Sequence, residues 1–113
     1  MAECVFCAIV SGDVPADVVH KSERTVAFRD VNAQAPTHVL VVPRRHEPDL
    51  AALSAAAPED VAAIGTAVAD IAAAEGLGEG YRVVFNTGAG AGQTVFHCHA
   101  HLLGGRRLEW PPG

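Results

Sequence analysis

Three of the chain's six histidines fall in five residues, "HCHAH" at 97 to 101, inside the apolar run VFHCHAHLL. On a strand, alternate side chains share a face, so His97, His99 and His101 would line one surface while Cys98, Ala100 and Leu102 pack inward. Packing has no use for three aligned imidazoles, and each needs a hydrogen-bond partner or water. Two chemistries suit them. The histidines can ligate a catalytic metal, or one can attack an electrophile while its neighbours orient it and move protons.

The surroundings weigh between these two. A hydrolytic metal site generally needs a nearby carboxylate, and after this segment none occurs until Glu109. Just upstream stands "NTGAGAGQT", with Asn86, Gln93, Thr94 and several glycine N–H groups, a set of donors with little bulk that suits phosphate oxygens. A donor loop feeding a histidine strand favours a phosphorus electrophile attacked by nitrogen. Neighbouring imidazoles disfavour one another's protonation, so a neutral nucleophile is easily kept near pH 7.

The remaining elements must position this segment. Residues 4 to 11 read as a short helix stopped by Gly12. Strands are expected at Val18 to Lys21, Thr25 to Arg29 and "THVLVVP", with the loop "DVNAQAP" between the last two. "DLAALS" suits a short helix. Pro58 to Glu75 is the strongest helix, with Val61, Ile64, Val68 and Ile71 at helical spacing, Pro58 in the first turn and Gly76 past the end. "YRVVFN" and "TVFHCHAHLL" complete the strands, and the tail ending "WPPG" is irregular. Strands clustered around helices predict an α+β domain with an antiparallel sheet, a single domain over 1–113.

Composition excludes several classes. Of the 113 residues, 50% are hydrophobic and 19% charged, so a packed globule is expected. A net charge of -5 argues against gripping nucleic acid. No apolar stretch approaches the roughly 20 residues of a membrane span. The start carries Glu3 and no basic n-region, and three cysteines make no disulfide framework, so a cytoplasmic location is expected. Cys4 and Cys7 put two soft ligands on one turn, which is half of a tetrahedral zinc site; a redox pair or two small buried side chains are the other readings. No thioredoxin-like βαβ pattern supports the redox reading.

"QTVFHCHAHLLGGRRLEWPPG" resembles the histidine triad family, whose signature is His-x-His-x-His followed by apolar residues, and most of all its nucleotide-binding (HINT) branch. "CVFCAIVSGDVPADVV", "FRDVNAQAPTHVLVVPRRH", "YRVVFNTG" and the tail follow in family order, so the likeness runs nearly end to end. It implies a five-stranded antiparallel sheet and a homodimer whose sheets join across the two-fold. It also implies hydrolysis of purine nucleoside 5′-phosphoramidates, with AMP- or GMP-type nucleotides as ligands and no catalytic metal. By position His99 would be the nucleophile, with His101 and His38 orienting it. Asn86, Gly92, Gln93, Thr94 and the Val95 backbone would hold the α-phosphate. Asp30 would accept the ribose hydroxyls, Phe6, Ile9, Phe28, Val31 and Leu40 would wall the base, and Trp110 would approach the partner's site. In some bacterial members the cysteine pair binds structural zinc with two histidines, which match His46 and His97; His97 would then leave catalysis. Thr94 stands where many relatives have Ser, and Ala91 where Gly is common. The related dinucleoside polyphosphate hydrolases tend to carry Pro-Arg after the triad, where this chain has "LLGG". A non-catalytic nucleotide-binding protein is the alternative from another class, and substitution of a triad histidine would favour it; none is substituted.

Overall fold

A computed structural model describes residues 4–113, so the first three residues of the expected domain lie outside it. Five strands form one antiparallel sheet in the order β1-β2-β3-β5-β4: β1 Val18–Lys21, β2 Thr25–Arg29, β3 Thr37–Pro43, β4 Tyr81–Val84 and β5 Ala100–Gly104. Three α-helices accompany it, α1 Val5–Ser11, α2 Leu50–Ala56 and α3 Pro58–Ala74, and the expected α+β class holds. Among the described residues no helix is long and apolar enough to cross a membrane.

Strand alternation divides the interior into two layers. Ala27, Val39, Val41, Ala100 and Leu102 face α2 and α3, where Leu53, Ile64, Val68 and Ile71 complete the main core. Val26, Phe28, Leu40 and Val42 point the other way and pack on Phe6 of α1. The period-3.6 pattern of α3 therefore lands on the sheet, with Val61 at its margin. Gly76, at φ 72°, ends it: the Gly76 and Leu77 N–H groups turn back to the carbonyls of Ala73 and Ala72. A seven-residue helix such as α1 is marginal by itself, so side-chain contacts must hold it. Its N-cap is Cys4, whose sulfur accepts the Cys7 N–H, and Gly12 closes it at φ 87°.

Two strands are shorter than expected. β4 stops at Val84, leaving Phe85 and Asn86 in the loop. β5 begins only at Ala100, so His97 and His99 precede the strand and are not part of it. The cause is competition for backbone groups. The Cys98 N–H is taken by the Glu47 carbonyl at 2.7 Å, and the His97 carbonyl by the His99 ring at 2.7 Å. The alternation of faces survives without the ladder, since Cys98, Ala100 and Leu102 do enter the main core.

Candidate active site and metal centre

Cross-strand pairing brings the histidines together. Leu40 faces His101 and His38 faces Leu103 between β3 and β5, so His38 and His101 are diagonal neighbours on the α1 side of the sheet. His38 Nε2 lies 3.0 Å from His101 Nδ1, and the rings of His99 and His101 are 5.0 Å apart. Phe6 meets the His99 ring edge to face at 4.9 Å.

Backbone hydrogen bonds assign the proton on each ring. His99 Nδ1 faces the His97 carbonyl at 2.7 Å, a contact only an N–H can make, so Nδ1 carries the proton in the neutral ring and the lone pair falls to Nε2. The Gln34 N–H donates to His38 Nδ1 at 3.0 Å, which puts the His38 proton on Nε2. That proton is directed at His101 Nδ1, with the Asp30 carboxylate 3.3 Å from the same nitrogen. His101 then carries its own proton on Nε2. The outcome is a one-way run of hydrogen bonds from Gln34 through His38 to His101, beside the His99 ring.

Electrostatics keep this run neutral. Burial pushes His101 down to about 4, helped by His99 and His38 and opposed by Asp30. Burial also lowers His38, against the pull of Asp30. Asp30, His38 and His101 converge closely enough to suggest a second metal cluster. The tautomer of His38 argues against that use, because its Nε2 holds a proton and has no lone pair to give. Asp30 also serves its turn, accepting the Asn32 N–H at 2.8 Å.

The loop after β4 differs from expectation in which groups remain free. The N–H groups of Ala91, Gly92 and Gln93 bond to carbonyls of Gly88 and Ala89 within the loop, which includes a 3₁₀ turn at Ala89–Ala91. Gly92, at φ 93°, shapes that turn. The buried Gln93 side chain accepts the Gly88 N–H and donates to the carbonyls of Pro48 and Val95, at 2.8, 2.7 and 3.1 Å. Both amide hydrogens are thus engaged, and Gln93 braces the loop. Among the described residues, the N–H groups of Thr94 and Val95 and the Thr94 hydroxyl have no protein partner. Phe6, Phe28 and Leu40 form one apolar cluster, with Ile9 and Val95 packed against it. Val31 lies fully exposed, outside that cluster. Trp110 is 80% exposed in the tail, which Arg82 ties down through the Glu109 carbonyl.

Beside the histidine chain, Cys4, Cys7, His46 and His97 converge, their donor atoms all within 4.8 Å of one another. His97 Nδ1 is 3.4 Å from Cys4 Sγ, 3.5 Å from Cys7 Sγ and 3.1 Å from His46 Nδ1, and Cys7 Sγ is 3.4 Å from His46 Nδ1. A tetrahedral zinc with bonds of about 2.3 Å to sulfur and about 2.0 Å to nitrogen spaces its ligand atoms by about 3.3–3.8 Å. The donor set fits that ion. His97 Nε2 donates to the Pro43 carbonyl at 2.8 Å, which turns the Nδ1 lone pair toward the cluster, the outer-shell bond usual for a ligating histidine. The groups that orient these rings, namely the Gln34 N–H and the carbonyls of Pro43 and His97, belong to the backbone. They escaped sequence reasoning because no side-chain type marks them.

Comparison with known proteins agrees with this geometry. The HIT domain family model matches residues 11–108. An uncharacterized HIT-like protein of Synechococcus elongatus is 49% identical, covering 98% of this chain and 97% of its own. The 14 kDa zinc-binding protein of Zea mays is 44% identical over 96% of this chain and 87% of its own. The crystal structure of a HIT family hydrolase from Legionella pneumophila superposes with a TM-score of 0.94 at 46% identity, covering 98% of this chain and all of that one.

Proposed function

Because the chain belongs to the HIT domain family, we propose that it is a nucleotide-binding hydrolase. It cleaves the P–N bond of purine nucleoside 5′-phosphoramidates through a nucleotidyl-histidine at His99. The observation that carries this reading is the His99 Nδ1 to His97 carbonyl bond of 2.7 Å, which makes Nε2 the lone-pair nitrogen of the neutral ring in an otherwise braced site. The Nε2 lone pair attacks the α-phosphorus, and the P–N bond breaks with its electron pair leaving on the amine, which takes a proton from solvent. Water then attacks the same phosphorus, the P–Nε2 bond breaks, and the proton lost by water balances the one taken up. His101 Nε2–H bonds to the phosphoryl group. The free N–H groups of Thr94 and Val95, with the side chains of Thr94 and Asn86, hold its non-bridging oxygens. Gly92 and Gln93 serve by holding that loop. Phe6, Ile9, Phe28 and Leu40 form the apolar wall for the base, and Asp30 at the end of β2 receives the ribose.

Cys4, Cys7, His46 and His97 would hold zinc, with four protein ligands and no open position, so the ion supplies structure and no Lewis-acid chemistry. The protein works in the cytoplasm as one domain over 1–113 and as a homodimer. Strand β4 lies at the sheet edge, with Tyr81 and Val83 about 40% exposed beside its unpaired backbone, a surface suited to pairing with a second copy. Trp110 in the adjoining tail would then reach the partner's site.

The test is turnover of an AMP–tryptamine phosphoramidate beside a diadenosine polyphosphate, by wild type and His99→Ala. Phosphoramidate turnover that disappears in the variant supports the reading. Preference for the polyphosphate would move the protein to the neighbouring branch, and turnover of neither to a binding role.

A further inference from the structure

The cysteine–histidine cluster and the nucleophile are not separate features. We infer that a zinc ion at Cys4, Cys7, His46 and His97 aims the His99 nucleophile, which makes His97 a positioning residue for catalysis in addition to a ligand. This rests on the zinc and nucleophile assignments proposed above, and gives His97 a part in the reaction that needs no proton transfer by its ring.

Two contacts connect the sites. The first is the His97 peptide. Its carbonyl accepts the His99 Nδ1–H at 2.7 Å and alone fixes that ring's tautomer among the described residues. The direction of this carbonyl depends on how residue 97 is held. The His97 ring is 0% exposed and is gripped on one side by the Pro43 carbonyl, at 2.8 Å. Its other nitrogen points into the cluster. The following N–H is held by the Glu47 carbonyl at 2.7 Å, next to the ligand His46. Both segments of the cradle, 46–47 and 97–98, therefore meet at the four donors.

The second contact is Phe6. It sits between the ligands Cys4 and Cys7 on the seven-residue α1 and meets the His99 ring edge to face at 4.9 Å, with the His97 ring 6.0 Å away. A helix of that length keeps little structure without its anchors. Four donors within 4.8 Å of one another, with four of their pairs at 3.1–3.5 Å, must separate or share protons without a cation. The buried His97 ring cannot turn out to water, so relaxation moves α1 and the 46–47 and 97–98 backbone. Each movement reaches His99, through its carbonyl partner or its aromatic wall. The nucleotide's phosphate donors at Thr94 and Val95 lie in the loop braced by Gln93, whose three bonds go to Gly88, Pro48 and Val95 and to none of the four donors. Metal loss should thus impair the chemical step more than nucleotide binding, which loses only the part of the base wall that Phe6 and Ile9 supply from α1.

The experiment uses His46→Gln, which removes the exposed ligand and leaves α1 and residue 97 intact, and a triple variant, Cys4→Val, Cys7→Val, His46→Leu, which replaces the metal by apolar packing. Each is depleted with chelator, checked for fold by circular dichroism and then titrated with zinc chloride. Three quantities are read: AMP affinity, the rate of nucleotidyl transfer to His99 in a single turnover, and the ring ¹⁵N shifts of His99, which report its tautomer without turnover. In folded, metal-depleted protein transfer slows by at least about tenfold, the scale of a small misplacement of a reacting group, and by more than the AMP Kd rises. The ¹⁵N shifts show both tautomers. Zinc restores rate and tautomer in His46→Gln and does neither in the triple variant. A wild-type transfer rate with a single Nδ1–H tautomer in either folded, metal-free variant would overturn the inference. Zinc-loaded wild type that forms no nucleotidyl-histidine would instead overturn the phosphoramidase reading, and the ¹⁵N shifts would still decide this one.

Discussion

Replacing Gln93 by Ala separates a structural brace from a phosphate ligand. Its side chain makes three hydrogen bonds, at 2.7, 2.8 and 3.1 Å, from a position only 4% exposed. At about 0.5–1.5 kcal/mol net for each bond, the loss is about 2–4 kcal/mol, and a part-buried Gly88 N–H left without its acceptor raises it toward the upper end. That is a large share of the roughly 5–15 kcal/mol that stabilises a typical domain. At about 4 °C per kcal/mol for a chain near this size, the melting temperature falls by about 10–15 °C. Urea denaturation monitored by circular dichroism measures the loss, and calorimetric titration with AMP at low temperature measures binding by the folded fraction. If Gln93 instead donates directly to phosphate, AMP affinity drops sharply with little change in stability. Wild-type stability together with weakened AMP binding would refute the brace.

Two other outcomes follow from the same structure. His101 is pushed down to about 4 in the folded protein from an ordinary value near 6.5, so the unfolded chain takes up a proton first as the pH falls. Stability is full above about pH 6.5 and is lost progressively toward pH 4; in His101→Asn the decline over that window is shallower, as urea midpoints at successive pH values would show, whereas an identical slope would contradict the assignment. Deleting Leu108 to Gly113 removes the exposed Trp110 and leaves the β4 edge, so amine leaving-group preference changes while the dimer persists; unaltered kinetics across several amines would count against the tail's role.

Much of the framework was legible in the sequence because it depends on local periodicity. Ile64, Val68 and Ile71 recur at helical spacing and do pack on the sheet, and Pro58 and Gly76 do bound α3. The alternation in His97, Cys98, His99, Ala100 and His101 correctly divided the two faces. The extent of β5 was not legible. Whether His97 and His99 join a ladder is decided by the Glu47 carbonyl, some 50 residues away, and by the His99 ring itself, which competes for the His97 carbonyl. Gln93 shows the same limit. A donor beside glycines suits phosphate, but its burial against Pro48 is a tertiary fact. Family position alone puts Val31, between Asp30 and Asn32, in the base wall, and it projects fully into solvent. His46 has no spacing relation to Cys4 and Cys7 that marks it as a partner. Only the family likeness pointed to it, and the fold brings its Nδ1 within 3.4 Å of Cys7 Sγ.

The stereochemical course at phosphorus tests the central claim most directly. An adenosine 5′-phosphoramidothioate of known configuration is hydrolysed in ¹⁸O-enriched water, and the configuration of the thiophosphate product is determined. Attack by His99 Nε2 followed by attack of water amounts to two in-line displacements, and the account predicts net retention. Net inversion would mean that water attacks phosphorus directly, and would contradict a nucleotidyl-histidine on this chain.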